Sequence, residues 1–191
     1  MAQATKIIFL DFDGPLSNAR TVLALGDEGF FDPVAVQALN HICAASGARV
    51  VCTSTRTHPD WEEGFIKAVR FFDVAGLDLK YLHPDWSCCT DLDMPRKDHI
   101  RQWLKHHPEV THYAIVDDEK VGLRCTVRVS QIDGMNHNDF EKIAACLDID
   151  LCAAFNEARK QTGRSPQYSL PFDKHDEMLN AVIACRECLT P

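Results

Sequence analysis

The stretch that most constrains the fold is residues 7–17, where Ile7-Ile8-Phe9-Leu10 runs straight into Asp11-Phe12-Asp13-Gly14-Pro15-Leu16-Ser17. An unbroken apolar run with β-branched and aromatic members is the pattern of a strand buried on both faces, as in a parallel sheet. Gly14 and Pro15 end it sharply. Open α/β sheets collect their ligands at the carboxyl ends of such strands. Two carboxylates two residues apart in extended chain lean to the same side, so Asp11 and Asp13 repel unless a cation sits nearby. Hard oxygen donors of this kind suit Mg²⁺. A solvated Asp-x-Asp-Gly turn is the plainer reading of the same residues, so the ends of the other strands decide between them.

Asp32-Pro33 starts a helix with a capping side chain and a proline in the first turn. Val36, Leu39, Ile42 and Cys43 keep helical spacing, and Gly47 stops it. Val50-Val51-Cys52 is a second buried strand, followed at once by Thr53-Ser54-Thr55-Arg56. Strand, helix, strand with short connections is a parallel crossover, which puts Thr53 at the same sheet edge as Asp11. Between them, residues 14–31 carry Pro15, Gly26 and Gly29 around Val22-Leu23-Ala24-Leu25 and read as a hairpin-like excursion. A helix is expected over 59–74. Leu77, Leu79 and Leu82 then alternate before Pro84 and an acidic, cysteine-containing loop.

Arg96 and Lys97 open a helix bearing Ile100, Trp103, Leu104 and His107, with His106-His107 as a solvated helix end. Tyr113-Ala114-Ile115-Val116 is a third strong strand, and it ends in Asp117-Asp118. Residues 125–129 read as a further strand, and Asn138 as the cap of a helix bearing Phe140, Ile143, Ala144 and Leu147. Two more helical patterns follow, over 151–160 and around 178–183.

The chain has 191 residues, enough for one domain or one domain with an appendage. A formal charge of −8 argues against nonspecific adhesion to nucleic acid, though it leaves room for a local basic groove. No apolar run approaches a membrane span and the first residues lack a signal-peptide pattern, so the expectation is a cytoplasmic protein with no membrane partner. The nine cysteines are an odd number, and Cys43, Cys52, Cys146 and Cys152 lie in apolar periodic stretches, as reduced core residues would. Cys185 and Cys188 have metal spacing, but no second pair completes a four-ligand zinc site.

Three strands thus end in Asp11/Asp13, Thr53/Ser54 and Asp117/Asp118, with Arg96/Lys97 opening the helix before the last. This is a kit for phosphoryl transfer. Asp11 supplies a nucleophile and Asp13 an acid and base. Asp117 or Asp118, with Asp11, holds Mg²⁺, while a hydroxyl, backbone N–H groups and a cation neutralise phosphoryl oxygens. Against this, Asp117-Asp118 could cap a turn and Thr53 and Ser54 could serve strand-end backbone groups.

The segments FLDFDG, VVCTSTR, RKDHIRQWL and YAIVDDE, in this order, resemble the haloacid dehalogenase (HAD) superfamily. More closely they resemble a bacterial and phage subgroup associated with RNA-repair proteins. The resemblance implies an α/β fold, a three-layer Rossmann-like parallel sheet with helices on both faces. Its HAD-like core would span 1–147, with a C-terminal helical extension, 148–191, packed on it. Only about forty residues separate Asp13 from Thr53, and about as many separate Thr53 from Arg96, so no large cap is expected.

By position, the resemblance implies Asp11 as nucleophile and Asp13 as acid/base, its backbone carbonyl also facing the metal. Thr53 is the phosphate-binding hydroxyl with Ser54 beside it, and Arg96 or Lys97 is the phosphate-binding cation. Asp117 and Asp118 complete the Mg²⁺ site with Asp11 and Asp13. Pro15 stands where many members have Thr, which stiffens the loop. The activity implied is a Mg²⁺-dependent phosphatase working through an aspartyl-phosphate on a nucleic-acid end, a nucleotide or a small phosphometabolite. No obligate protein partner is expected. Arg56, His58 and Trp61 are candidate substrate contacts, with Trp61 in the core and His58 on the surface as the plainer alternative. A phosphotransferase, a two-component receiver and a binding protein on the same fold are the competing readings. In receivers the acidic pair follows the first strand and the phosphorylated Asp a later one, the reverse of this order.

Overall fold

The computed structural model describes residues 5–26, 31–58, 76–89 and 91–161. The helices expected over 59–74 and 178–183, with Trp61, Cys185 and Cys188, lie outside the described residues. Five strands, β1 (Thr5–Leu10), β2 (Arg49–Cys52), β3 (Leu82–Ser87), β4 (Val110–Asp117) and β5 (Thr126–Arg128), form one sheet in the order β3-β2-β1-β4-β5. Every pairing is parallel. The chain leaves β1 in one direction for β2 and β3, then returns to its other side for β4 and β5. This reversal puts the carboxyl end of β1 at a topological switch point.

Alternation along β1 sorts its side chains between two cores. Ile8 and Leu10 pack with Val50, Ala114, Val116 and the buried faces of α2 (Pro33–Ser46) and α4 (His137–Cys146). Ile7 and Phe9 pack on the other side with Val51, Ile115 and Ile100 and Trp103 of α3 (Arg96–His106). With helices on both faces, β1 is wholly buried from Ile7 to Leu10, which is why its sequence shows no polar alternation.

The chain divides into two compact units, 1–155 and 156–191. Helix α5 (Leu151–Gln161) buries Ala154 in the first core, and Lys160 lies within 3.6 Å of Glu157. Among the described residues, no helix is long and apolar enough to cross a membrane.

Several expectations are corrected. Residues 19–25 are not part of a hairpin but a short helix, α1 (Ala19–Leu25), started by the Asn18 side chain accepting from Thr21 N–H and stopped by left-handed Gly26. The stretch at Pro84 is the edge strand β3. An edge tolerates a proline because one side of the strand needs no ladder donors. Helix α4 is capped by Asn136 rather than Asn138, with Asp139 closing a capping box. Cys43 and Cys52 are buried as expected, and burial pushes the Cys43 thiol up to about 12, but Cys146 is only partly buried and Cys152 is exposed. His107 is not a solvated helix end: its ring stacks on Trp103 with centres 3.8 Å apart.

Candidate active site

Backbone hydrogen bonds continue the sheet past its strands and lock the polar residues at its carboxyl edge. Asp11 N–H donates to the Val116 carbonyl (3.0 Å), Thr53 N–H to the Leu10 carbonyl (2.9 Å) and Val129 N–H to the Asp117 carbonyl (2.8 Å). Asp11, Thr53, Ser54 and Asp117 are all buried.

Arg96 reaches this edge from the first turn of α3. One guanidinium nitrogen lies 2.9 Å from Asp11 Oδ2 and 2.5 Å from Asp117 Oδ2. Lys97 is exposed. Arg96, Ile100 and Trp103 fall at i, i+4 and i+7, so the packing that buries the last two also aims the first at the carboxylates. The same phase turns Lys97 away. That spacing was readable in the sequence and separates the two cations.

Oxygens of Asp11, Asp117 and Asp118 lie within 4.8 Å of one another. Gly14 makes room for this: its φ is +86°, and a Cβ there would stand 2.5 Å from the Asp118 Cβ. Burial drives the Asp11 pKa up to about 7; Arg96 opposes the shift, and Asp117 and Asp13 add to it. Burial also raises Asp117 against the pull of Arg96. Three clustered carboxylates with one guanidinium therefore lack positive charge, and among the described residues Asp11 Oδ1 is buried with no hydrogen-bond partner. An all-oxygen donor set with a free oxygen fits a hard divalent cation such as Mg²⁺.

Asp13 stands apart from those three. Its carboxylate is half exposed and forms a two-point ion pair with Arg56, Nε to Oδ2 at 3.1 Å and an Nη to Oδ1 at 2.5 Å. Each acid of the Asp-x-Asp pair thus has its own arginine, which answers the repulsion expected between them.

The two hydroxyls after β2 also separate. Ser54 Oγ accepts from Arg56 N–H (3.4 Å) and caps the short 3₁₀ turn Thr55–Thr57, a backbone role. Among the described residues, Thr53 Oγ1 is buried without a partner. His58, at the end of that turn, is 6% exposed, so it is not the surface residue of the plainer alternative.

Sequence reasoning missed the cleft beside Asp118, about 840 Å³, whose walls carry Lys120, Arg128 and Lys142 together with Glu119 and Asp139. Arg128 Nε donates to the Asp118 carbonyl (2.8 Å), tying this wall to the acidic pair. The available signal was positional: Lys120 and Arg128 stand just beyond Asp117-Asp118 and at the end of β5, on the same sheet edge.

A family model described as the HAD domain in Swiss Army Knife RNA repair proteins matches residues 7–140. The chain belongs to that family. The match runs from β1 into α4 and includes Asp11, Asp13, Thr53, Arg96, Asp117 and Asp118. Comparison with curated proteins and with solved structures found no match. Membership in the HAD family makes the chain one of a superfamily of hydrolases that includes phosphatases, and HAD domains generally use Mg²⁺.

Proposed function

We propose that this HAD domain is a phosphatase that removes terminal phosphomonoesters from nucleic acid through an aspartyl-phosphate on Asp11. The observation that carries the reading is the pair of buried polar atoms, Asp11 Oδ1 and Thr53 Oγ1, that have no partners among the described residues and stand at the ends of neighbouring strands. A buried polar atom left unpaired costs about 1–3 kcal/mol, which a substrate or metal recovers on binding.

In the first step an Asp11 carboxylate oxygen bonds to phosphorus as the bond from phosphorus to the ester oxygen breaks. Asp13, protonated, passes its proton to that oxygen. In the second step Asp13 takes a proton from a water whose oxygen attacks phosphorus. The bond from Asp11 to phosphorus then breaks and inorganic phosphate leaves. Thr53 Oγ1 donates to a phosphoryl oxygen, and Arg96 balances the charge that develops there. Asp11, Asp117 and Asp118 would hold Mg²⁺, which supplies Lewis-acid neutralisation of the phosphoryl oxygens.

Arg56 pairs with the Asp13 carboxylate at two points, and an incoming phosphoryl dianion offers it a second acceptor beside the reacting phosphorus. On the walls of the cleft beside Asp118, Lys120 and Arg128 stand beside Asp118 and Glu119, and Lys142 pairs with Asp139; the cleft offers room for a substrate larger than the reacting phosphate. The RNA-repair association of the family points the same way.

The test is phosphate release from a panel of 5′-, 3′- and 2′-phosphorylated oligonucleotides, mononucleotides and sugar phosphates, with and without Mg²⁺. Release that prefers oligonucleotide ends and drops by at least about a thousandfold, roughly 4 kcal/mol, in Asp11→Asn is the expected result. Release undiminished in Asp11→Asn would exclude the covalent route. A preference for sugar phosphates would overturn the substrate class alone.

A further inference from the structure

At the opposite, amino-terminal edge of the sheet, His83 near the start of β3, His107 at the end of α3 and Glu109 just before β4 converge. One nitrogen from each imidazole and one Glu109 oxygen lie within 4.8 Å of one another. We propose that these three residues form a second metal site, selective for a borderline divalent ion such as Zn²⁺ or Ni²⁺.

The donor chemistry differs from that of the carboxyl edge. Imidazole nitrogens with a single carboxylate favour late first-row metals, whereas Mg²⁺ keeps to oxygen. Two histidines and one glutamate are also a known zinc set that leaves a position open to water. The spacing suits the purpose. Imidazoles bound tetrahedrally to one ion through nitrogens about 2.1 Å away have ring centres roughly 5 Å apart, and the His83 and His107 ring centres are 5.0 Å apart.

The surroundings hold both rings in place. His107 Nε2 lies 3.0 Å from Asp85 Oδ2, and its Nδ1 lies 3.0 Å from Glu109 Oε1. With Nε2–H donating to Asp85, the Nδ1 lone pair faces the Glu109 side of the cluster, the carboxylate–histidine–metal arrangement found behind many metal ligands. The same Asp85 reaches His83: its backbone N–H donates to Nδ1 (3.0 Å) and its carbonyl lies 3.3 Å from the same nitrogen, so Asp85 fixes this ring as well. Trp103 Nε1 donates to that carbonyl (3.1 Å) while its ring stacks on His107.

Strand β3 is built to present these groups. It takes five residue steps, Leu82 to Ser87, where β2 takes two, Val50 to Cys52, so His83-Pro84-Asp85-Trp86 bulges out of the ladder. Bulges of this kind re-aim side chains. Here the displaced residues include one ligand and the residue that orients both rings. The site is accessible, because the Glu109 side chain is half exposed and the histidines are partly exposed.

The test titrates Ni²⁺ into the full chain in excess Mg²⁺, which occupies the all-oxygen centre. Calorimetry counts ions, and tryptophan fluorescence reports quenching of Trp103. The expected result is one Ni²⁺ whose affinity falls at least tenfold in His83→Gln and in His107→Gln and persists in Asp11→Asn. Glu109→Gln, an exposed one-atom change checked for fold by circular dichroism, weakens it severalfold and decides the matter should either histidine variant fail to fold. Ni²⁺ binding unchanged in every variant that folds, or no binding below millimolar, would overturn the proposal.

Discussion

The two edges of one sheet treat charge in opposite ways. At the carboxyl edge Asp11 and Asp117 are buried, burial raises the pKa of both, and Asp11 Oδ1 and Thr53 Oγ1 have no partners among the described residues. At the amino edge Asp85 and Glu109 keep about half of their side-chain surface in water, with His107 within 3.0 Å of both. The first arrangement is costly without a ligand; the second keeps its carboxylates hydrated. The difference teaches where stability has been given up: a site that binds charge by desolvating it is destabilised when empty, as expected where strain and function coincide.

The sharpest way to break this contrast is at Arg96. Arg96→Ala leaves two buried carboxylates without their shared cation, and a broken buried pair typically costs about 3–5 kcal/mol. Urea denaturation of metal-free protein should show that loss, and turnover should fall about a hundredfold or more. Lys97→Ala should cost less than about threefold in turnover. Equal effects of the two variants would remove Arg96 from its central place.

Next comes pH. The Asp11 pKa is about 7 in the fold against an ordinary 3.8. Between those values the folded state keeps a proton that the unfolded chain has released. The stability of metal-free protein is therefore greatest below pH 4 as far as this group is concerned, and it falls as pH rises through about 4 to 7. The slope is up to about 1.4 kcal/mol per pH unit. The raised Asp117 acts in the same sense. Thermal melts should show Asp11→Asn flattening this slope and Mg²⁺ offsetting it at neutral pH. A slope of the same size in Asp11→Asn would assign it to other groups.

Thr53→Val separates function from stability in a single change. It should lower kcat/KM by about tenfold while leaving the protein as stable or about 1 kcal/mol more stable, because the lost hydroxyl is buried without a partner. A clear loss of stability would mean that the hydroxyl already has a structural bond. Gly14→Ala tests the space beside Asp118. The left-handed backbone alone costs about 1–2 kcal/mol, the new Cβ would stand 2.5 Å from the Asp118 Cβ, and the displacement should weaken Mg²⁺ binding, read by calorimetry, severalfold. Unchanged Mg²⁺ affinity would take Asp118 out of the metal set.

Most of the scaffold was legible because its signals are local. Apolar runs at 7–10, 50–52 and 113–116 mark buried strands, and Asp32-Pro33 and Gly47 bound a helix without reference to anything distant. Where reading failed, two local codes competed. Gly26 after Val22-Leu23-Ala24-Leu25 suited a turn as well as a helix stop, and only the Asn18 cap tips residues 19–25 into a helix. Pro84 argued against a strand, and only an edge position with a bulge permits one.

The sequence by itself determined that Asp11, Thr53 and Asp117 meet. Parallel crossovers return every strand in the same direction, so residues that end separate strands share one edge. Tertiary structure decided what each of them does there. Helix phase set by Ile100 and Trp103 selected Arg96 over Lys97, the 3₁₀ turn occupied Ser54 and left Thr53 unpaired, and Arg56 took Asp13 away from the carboxylate cluster. It also brought together His83, His107 and Glu109, which no spacing in the chain connects. The physical reason is range: strand and helix signals act within a few residues, whereas burial, charge pairing and an unpaired lone pair depend on groups tens of residues apart.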